Sequence, residues 1–118
     1  MSNQKEVINL IKSISGQANV LTIPRIFIDI TGDHLSALFL SQCVYWSDKG
    51  KNEWFYKSDR EWEEELALSA YQVRRIRNNL SEFLETKIKK AGGAPTTHYR
   101  IRFVHLSKSI VKKLNNPL

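Results

Sequence analysis

The chain of 118 residues holds one cysteine, three prolines and five glycines, and its apolar runs are short. Cys43 alone cannot close an internal disulfide, and it sits in an apolar helical run where a reduced thiol behaves as a small hydrophobe. No apolar stretch approaches the roughly 18 residues that a membrane span needs. The start, Met1-Ser-Asn-Gln-Lys-Glu6, lacks the charged-then-apolar layout of a secretory signal. A soluble, cytoplasmic protein is therefore expected, with no membrane partner. Metal chemistry finds no foothold: His34, His98 and His105 are far apart, without a second cysteine or a pair at zinc-ligand spacing. No phosphate-cradling glycine motif follows a strand, and the carboxylates cluster on one segment instead of converging on a pocket. Binding, and not catalysis, is the expectation, with no cofactor and no metal.

What is present is a positive charge, unevenly spread. The net charge is +6. Asp59 to Glu65 carries five acidic residues against Arg60, whereas Tyr71 to Arg102 carries eight basic residues against Glu82 and Glu85. One segment thus holds most of the charge that would seek an anionic partner. At this length, with 42% hydrophobic residues, the chain makes a single domain with one core.

Val7, Leu10, Ile11 and Ile14 follow the i, i+3, i+4, i+7 spacing of an amphipathic helix that ends at Gly16. Val20 to Ile30 is rich in β-branched residues and fits a strand, but Pro24 can also open a helical turn, so this segment stays undecided. Asp33 is a good N-cap for a run in which Leu35, Leu38, Phe39, Leu40, Cys43, Val44, Tyr45 and Trp46 are apolar on most sides, which predicts a central buried helix. Tyr45, Trp46, Trp54 and Trp62 are all expected in the core.

Two capping boxes, Ser58-Asp-Arg-Glu61 and Ser69-Ala-Tyr-Gln72, start helices eleven residues apart. The first is predicted from about Asp59 to Leu66, and the second from Ala70 into Leu80 to Leu84. A short helix, a three-to-four residue turn and a longer helix is the helix-turn-helix arrangement. Glu85 to Lys90 then alternates, as does Thr96 to Phe103, with Tyr99, Ile101 and Phe103 on one face and His98, Arg100 and Arg102 on the other. Ala91-Gly-Gly-Ala-Pro95 between them reads as the turn of a β-hairpin, and Trp54-Phe-Tyr56 can add a third strand. Leu106, Ile110, Val111 and Leu114 predict a terminal amphipathic helix ending near Asn115-Asn-Pro117. The expected fold is mainly α with a small β-hairpin, a winged helix-turn-helix with a core from about 21 to 103. Accessory helices are expected at about 5–15 and 105–114. Their apolar faces predict a homodimer.

At Ile23-Pro-Arg-Ile-Phe-Ile-Asp-Ile-Thr-Gly-Asp33, Leu40-Ser-Gln-Cys-Val-Tyr-Trp-Ser-Asp48, Trp54-Phe-Tyr-Lys-Ser58, Glu61-Trp-Glu-Glu-Glu-Leu66, Ser69-Ala-Tyr-Gln-Val-Arg-Arg75 and Pro95-Thr-Thr-His-Tyr-Arg100, the chain resembles winged-helix domains of phage and plasmid replication proteins. It is similar there to the N-terminal domain of DnaD-like replisome organisers. The resemblance covers about Leu21 to Phe103 and implies a DNA-replication role with a replication-machinery protein as partner. Further segments usually follow the domain in that family, and here the chain stops, which leaves DNA or protein recognition as what carries over. Two departures are Ala67, where the helix-turn-helix usually has glycine, and Ser81-Glu-Phe-Leu84, which lacks the glycine common before the wing.

On a helical wheel of Ala70 to Leu84, Val73, Ile76, Leu80 and Phe83 share the core face. Tyr71, Arg74, Arg75 and Asn78 lie opposite, with Arg77 at the flank and Ser69 and Gln72 at the helix start. Arginine can grip guanine O6 and N7, and asparagine can pair with adenine N6 and N7, so this face is expected to read duplex DNA. The hairpin residues Lys87, Lys89, Lys90, Gly92, Gly93, Thr96, His98, Arg100 and Arg102 are expected along the phosphate backbone. The acidic helix, Glu61 to Glu65, must then face away from phosphates. A transcription regulator using the same interface and a winged helix devoted to protein contacts are the competing expectations.

Overall fold

The computed structural model describes residues 3–16, 20–49 and 53–116, over which the chain is mainly helical with one small antiparallel sheet. In chain order the elements are α1 (Gln4–Ile14), α2 (Arg25–Thr31), α3 (His34–Lys49), β1 (Phe55–Tyr56), α4 (Asp59–Leu66), α5 (Ala70–Asn79), β2 (Leu84–Ala91), β3 (Ala94–Ile101) and α6 (Phe103–Asn115). None of these helices is long and apolar enough to cross a membrane.

The undecided segment resolves as helix. Pro24, still extended, is the N-cap of α2, whose Phe27 enters the core, and Gly32 ends the helix at φ 71° with its amide donating to the Ile28 carbonyl at 2.8 Å. Asp33 then caps α3 as expected, its Oδ2 accepting from the Ser36 amide at 3.0 Å and the Ser36 hydroxyl at 2.6 Å. Ala37, Leu38, Phe39, Leu40 and Cys43 of α3 are buried. Burial pushes the Cys43 thiol well above its ordinary pKa, so it stays protonated and acts as an apolar group. Tyr45 departs from expectation: it is 46% exposed, because the last turns of α3 are covered on one side only, and its ring stands edge-on to Trp46 at 5.2 Å.

Both capping boxes form. Ser58 Oγ accepts from the Glu61 amide, and Glu61 Oε1 accepts from the Ser58 amide, each at 3.1 Å. The Ser69 and Gln72 pair repeats this at 3.1 and 2.9 Å. The chain turns between α4 and α5 through Ala67, which takes the left-handed conformation at φ 54° without being glycine. Helix α5 ends at Asn79, just before the expected Leu80 to Leu84 region. Leu80 to Phe83 form a turn instead, with the Phe83 and Leu84 amides donating to the Leu80 carbonyl at 2.9 and 2.8 Å. The turn keeps Leu80 and Phe83 in the core and uses no positive φ, so the missing glycine is not needed.

The strand order is β1-β3-β2. The hairpin turn is tighter than expected: Gly92 and Gly93 alone form it, at φ 60° and 83°, with Ala91 opposite Ala94. Both central residues need positive φ in such a turn, which suits glycine. Pro95 therefore lies in β3, at a point where β1 no longer runs beside it and only β2 is paired. Strand β3 stops at Ile101. Arg102 is the N-cap of α6, and Phe103, expected on the buried strand face, lies in α6 and is 55% exposed.

The core is centred on an aromatic cluster that joins four elements. Phe39 of α3 stacks on Trp62 of α4 at 4.0 Å, and Tyr99 of β3 meets Trp62 edge-on and stacks on Phe55 of β1 at 5.3 Å. The Trp62 indole N–H donates to the Tyr99 hydroxyl at 3.2 Å, which satisfies the polar atom of a fully buried side chain. Outside the core, α1 forms as expected but none of its residues is buried; Val7, Ile8, Leu10, Ile11 and Ile14 are all exposed. Helix α6 buries Leu106 and leaves Phe103, Val104, Val111 and Leu114 exposed. Phe27, Val44, Phe103, Leu106, Ile110 and Val111 line an apolar groove of about 310 Å³ between α2, α3 and α6. Helix α6 ends at Asn115, as expected near Asn115-Asn-Pro117, of which Pro117 lies outside the described residues.

Candidate nucleic-acid interface

Helix α5 buries Val73 and Ile76 and turns Tyr71, Arg74 and Asn78 to solvent, as helical spacing requires. Tyr71 is 68% exposed. Among the described residues no hydrogen bond or ion pair engages the Arg74 guanidinium. Arg75 is one-third exposed, with Nη1 3.5 Å from Asp33 Oδ2. The Ser36 hydroxyl above all, aided by Arg75, holds the Asp33 carboxyl below its ordinary pKa. Ser69 and Gln72 are committed to the capping box at the helix start, so their side chains shape the helix end.

Arg77 belongs elsewhere. Its Nη1 donates to Asp59 Oδ1 and to the Tyr99 hydroxyl, both at 2.7 Å, and its Nη2 donates to Asp59 Oδ2 at 3.1 Å. This two-pronged pair ties α5 to the start of α4 and to β3, and only 18% of the Arg77 side chain is accessible. The hydrogen bonds from Arg77 hold Asp59 below its ordinary pKa, and burial raises that of Tyr99. The expectation that Arg77 flanks a DNA-reading face is thus corrected: its geometry makes it an internal strut.

The hairpin divides its residues between two faces. Register places Lys87 opposite His98 and Lys89 opposite Thr96, and alternation puts all four on the outer face with Arg100. Lys90 points to the other face, with Thr86 and Ile88, so the three lysines do not form one row. Gly92 and Gly93 stand exposed at the tip. Thr96 Oγ1 donates to the Ala94 carbonyl at 3.1 Å. Arg100 was expected on phosphate, but two carboxylates hold it: it donates to Glu85 through Nε at 2.9 Å and through Nη2, and to Glu53 at 3.2 Å. Arg102 lies at the base of the hairpin, where its amide donates to the Phe83 carbonyl at 2.8 Å.

Two features of this region escaped sequence reasoning. Trp54, expected in the core, is half-buried on the outer sheet face, with Lys87 Nζ 4.0 Å and Arg100 Cζ 4.9 Å from its ring centre. Tyr56, beside His98 at 5.2 Å, is 58% exposed. The signal was the alternation Trp54-Phe-Tyr56, in which only Phe55 shares the face of Tyr99. The second feature is Lys57, a buried lysine whose Nζ pairs with Glu65 and lies 4.0 Å over the Trp46 ring and 4.9 Å from that of Trp62. It neutralises part of the acidic charge of α4. Glu61, Glu64 and Glu65 are exposed on that helix. Among the described residues no group of three His, Cys, Asp or Glu side chains could hold a metal ion.

Comparison with family models, with curated proteins and with solved structures finds no match to this chain.

Proposed function

We propose that the chain is a winged helix-turn-helix domain that binds duplex DNA in the cytoplasm, with α5 in the major groove and the hairpin as the wing beside it. The observation that carries this reading is the outward face of α5, where Tyr71, Arg74 and Asn78 lie exposed opposite the buried Val73 and Ile76, with the half-buried Arg75 beside them on Asp33. These side-chain types match the donor and acceptor pattern of base edges, and a helix set on a three-residue turn from its neighbour is the element that enters the groove. Lys87 and Lys89, which share the outer face of the hairpin, supply charge for phosphates nearby, and Lys90 lies on the other face. The order α3, β1, α4, α5, hairpin supports the winged-helix reading.

The role we assign is that of a phage- or plasmid-type replication protein, in line with the resemblance noted above. A second copy of the chain is the proposed partner, because α1 buries nothing of itself and an isolated helix of 11 residues is marginal in water. A twofold pair would present two α5 helices to two half-sites. Selection of bound sequences from random duplex DNA, followed by footprinting, tests the reading. Arg74→Ala is expected to weaken the selected site by about 1–3 kcal/mol with unchanged circular dichroism. Unchanged affinity in a folded Arg74→Ala protein, or no sequence enriched at all, would overturn the assignment.

A further inference from the structure

The outer face of the sheet carries aromatic side chains that the duplex reading does not use. Across the three strands, Tyr56, His98 and Lys87 form one row, since Tyr56 pairs with His98 and His98 with Lys87. The row toward the tip holds Thr96 and Lys89, and the row toward the base holds Arg100 and Glu85, with Trp54 beside Arg100. Trp54 and Tyr56 are two residues apart on one edge of this face, so their rings are spaced by about 6.5 Å along the strand.

We propose that this face binds single-stranded nucleic acid, stacking unpaired bases on Tyr56 and Trp54 while Lys87 and Lys89 take the phosphates. Flat aromatic rings on a sheet surface need base faces to stack on, and a duplex buries its base faces inside its own stack. The stacking is therefore independent of the duplex reading of α5, although Lys87 and Lys89 serve phosphates in both. Tyr56 is open to solvent, whereas a base on Trp54 displaces Lys87, the cation nearer the ring centre, and leaves Arg100 on its two carboxylates. An ammonium over an exposed indole is worth roughly two- to five-fold in an equilibrium, and a base stacked on an aromatic side chain roughly five- to 150-fold. The base wins, and the displaced Lys87 ammonium is freed beside the ring where a phosphate would lie. Charge gives the strand a direction. Arg100 is neutralised by Glu85 and Glu53, so the phosphates run toward Lys87 and Lys89 and not toward the base of the hairpin.

Fluorescence anisotropy of labelled oligothymidylate, oligouridylate and a duplex of matching length, each titrated with the full chain at low salt, tests this. Both single strands are expected to bind, and the stronger of the two identifies which sugar the face accepts. Tyr56→Ala and Trp54→Leu should each weaken single-strand binding about ten-fold while duplex affinity changes by less than about two-fold. Tyr56→Phe should bind as the wild type does, because the ring and not the hydroxyl stacks. Arg74→Ala should do the reverse, weakening the duplex alone, so a failure of the α5 reading is seen separately. Should Tyr56→Ala melt early, indole quenching takes over: oligothymidylate is expected to quench the wild type and to quench Trp54→Leu less. The proposal is overturned by absent saturable binding of both single strands, by equal weakening of single strand and duplex in Tyr56→Ala, or by quenching that Trp54→Leu leaves intact.

Discussion

Replacing Arg77 with alanine separates two roles for one side chain. Spacing alone puts the guanidinium at the flank of the outward face of α5, whereas its hydrogen bonds commit it to Asp59 and Tyr99. Alanine removes two charge-assisted hydrogen bonds from Asp59 and one from Tyr99, which keeps the Trp62 indole N–H. A hydrogen bond to a charged group contributes about 1.5–3 kcal/mol. The Asp59 side chain keeps 40% of its surface in water, so its carboxylate rehydrates, and the two bonds together count for about 2–3 kcal/mol. Unfolding entropy near 2.1 cal/mol/K per residue gives about 0.25 kcal/mol/K over this chain, so Tm should fall by about 8–12 °C in scanning calorimetry at neutral pH. Arg60→Ala is the control: its pair with Glu64 is 87% and 67% exposed, and Tm should move by less than about 2 °C. The pH dependence has a definite sign. Arg77 lowers the Asp59 pKa in the folded state, so the pair stabilises above the unfolded carboxyl pKa of about 3.9 and loses that contribution as pH falls through the lower folded value. The gap between wild type and Arg77→Ala should therefore narrow in acid. An Arg77→Ala protein that melts within about 2 °C of wild type while losing duplex affinity would put the side chain on DNA and refute this reasoning.

Ala67→Gly should raise stability by about 0.5–1 kcal/mol, because Ala67 holds a left-handed φ that glycine adopts without penalty, partly offset by the freer unfolded chain; chemical denaturation with an unchanged m-value checks it. Lys89→Ala and Lys90→Ala, on opposite faces of the hairpin, are expected to differ: a lysine on phosphate lowers the slope of log-affinity against log-salt by about one, and one off it leaves the slope alone. A slope unmoved by either would remove the hairpin from the duplex interface. Light scattering at tens of micromolar should give a dimer mass, and Leu10→Asp on the exposed face of α1 should return it to a monomer; a monomeric wild type would mean that α1 has no partner in a second copy.

The elements were legible where local chemistry decides them. Both capping boxes, the Asp33 cap and the Gly-Gly turn are short-range hydrogen-bond or φ requirements, and each sits where the residues put it. The core face of α5 followed from spacing, since Val73 and Ile76 have one side on which to be buried. What spacing does not carry is which charged group meets which. Arg77 and Asp59 are 18 residues apart, Arg100 and Glu53 are 47 apart, and both pairs exist because strands and helices that are remote in sequence are brought together. The same holds for Trp54. Large aromatic residues are usually interior, but β1 is only two residues long, and its pairing with β3 fixes which of three neighbouring aromatic side chains faces in. Lys57 was missed for the opposite reason: a lysine seldom enters a core, and only the aromatic faces of Trp46 and Trp62 together with Glu65 make its burial tolerable.

The hairpin strands are eight residues long, yet their buried side chains, Leu84, Tyr99 and Ile101, all belong to the base. Farther out, Ile88 is 76% exposed, and each strand has little but the other to hold it. A two-stranded ribbon on its own is barely stable in water. The free energy of local opening must therefore step down along the hairpin: amide hydrogens near Gly92 and Gly93 exchange through fraying, while those of Tyr99 and Ile101 wait for the whole domain to open. The lysines assigned to phosphate ride on a part of the molecule with a low opening free energy. Any affinity gained there is net of holding the ribbon still, so stiffening the distal hairpin would tighten binding without adding a single contact.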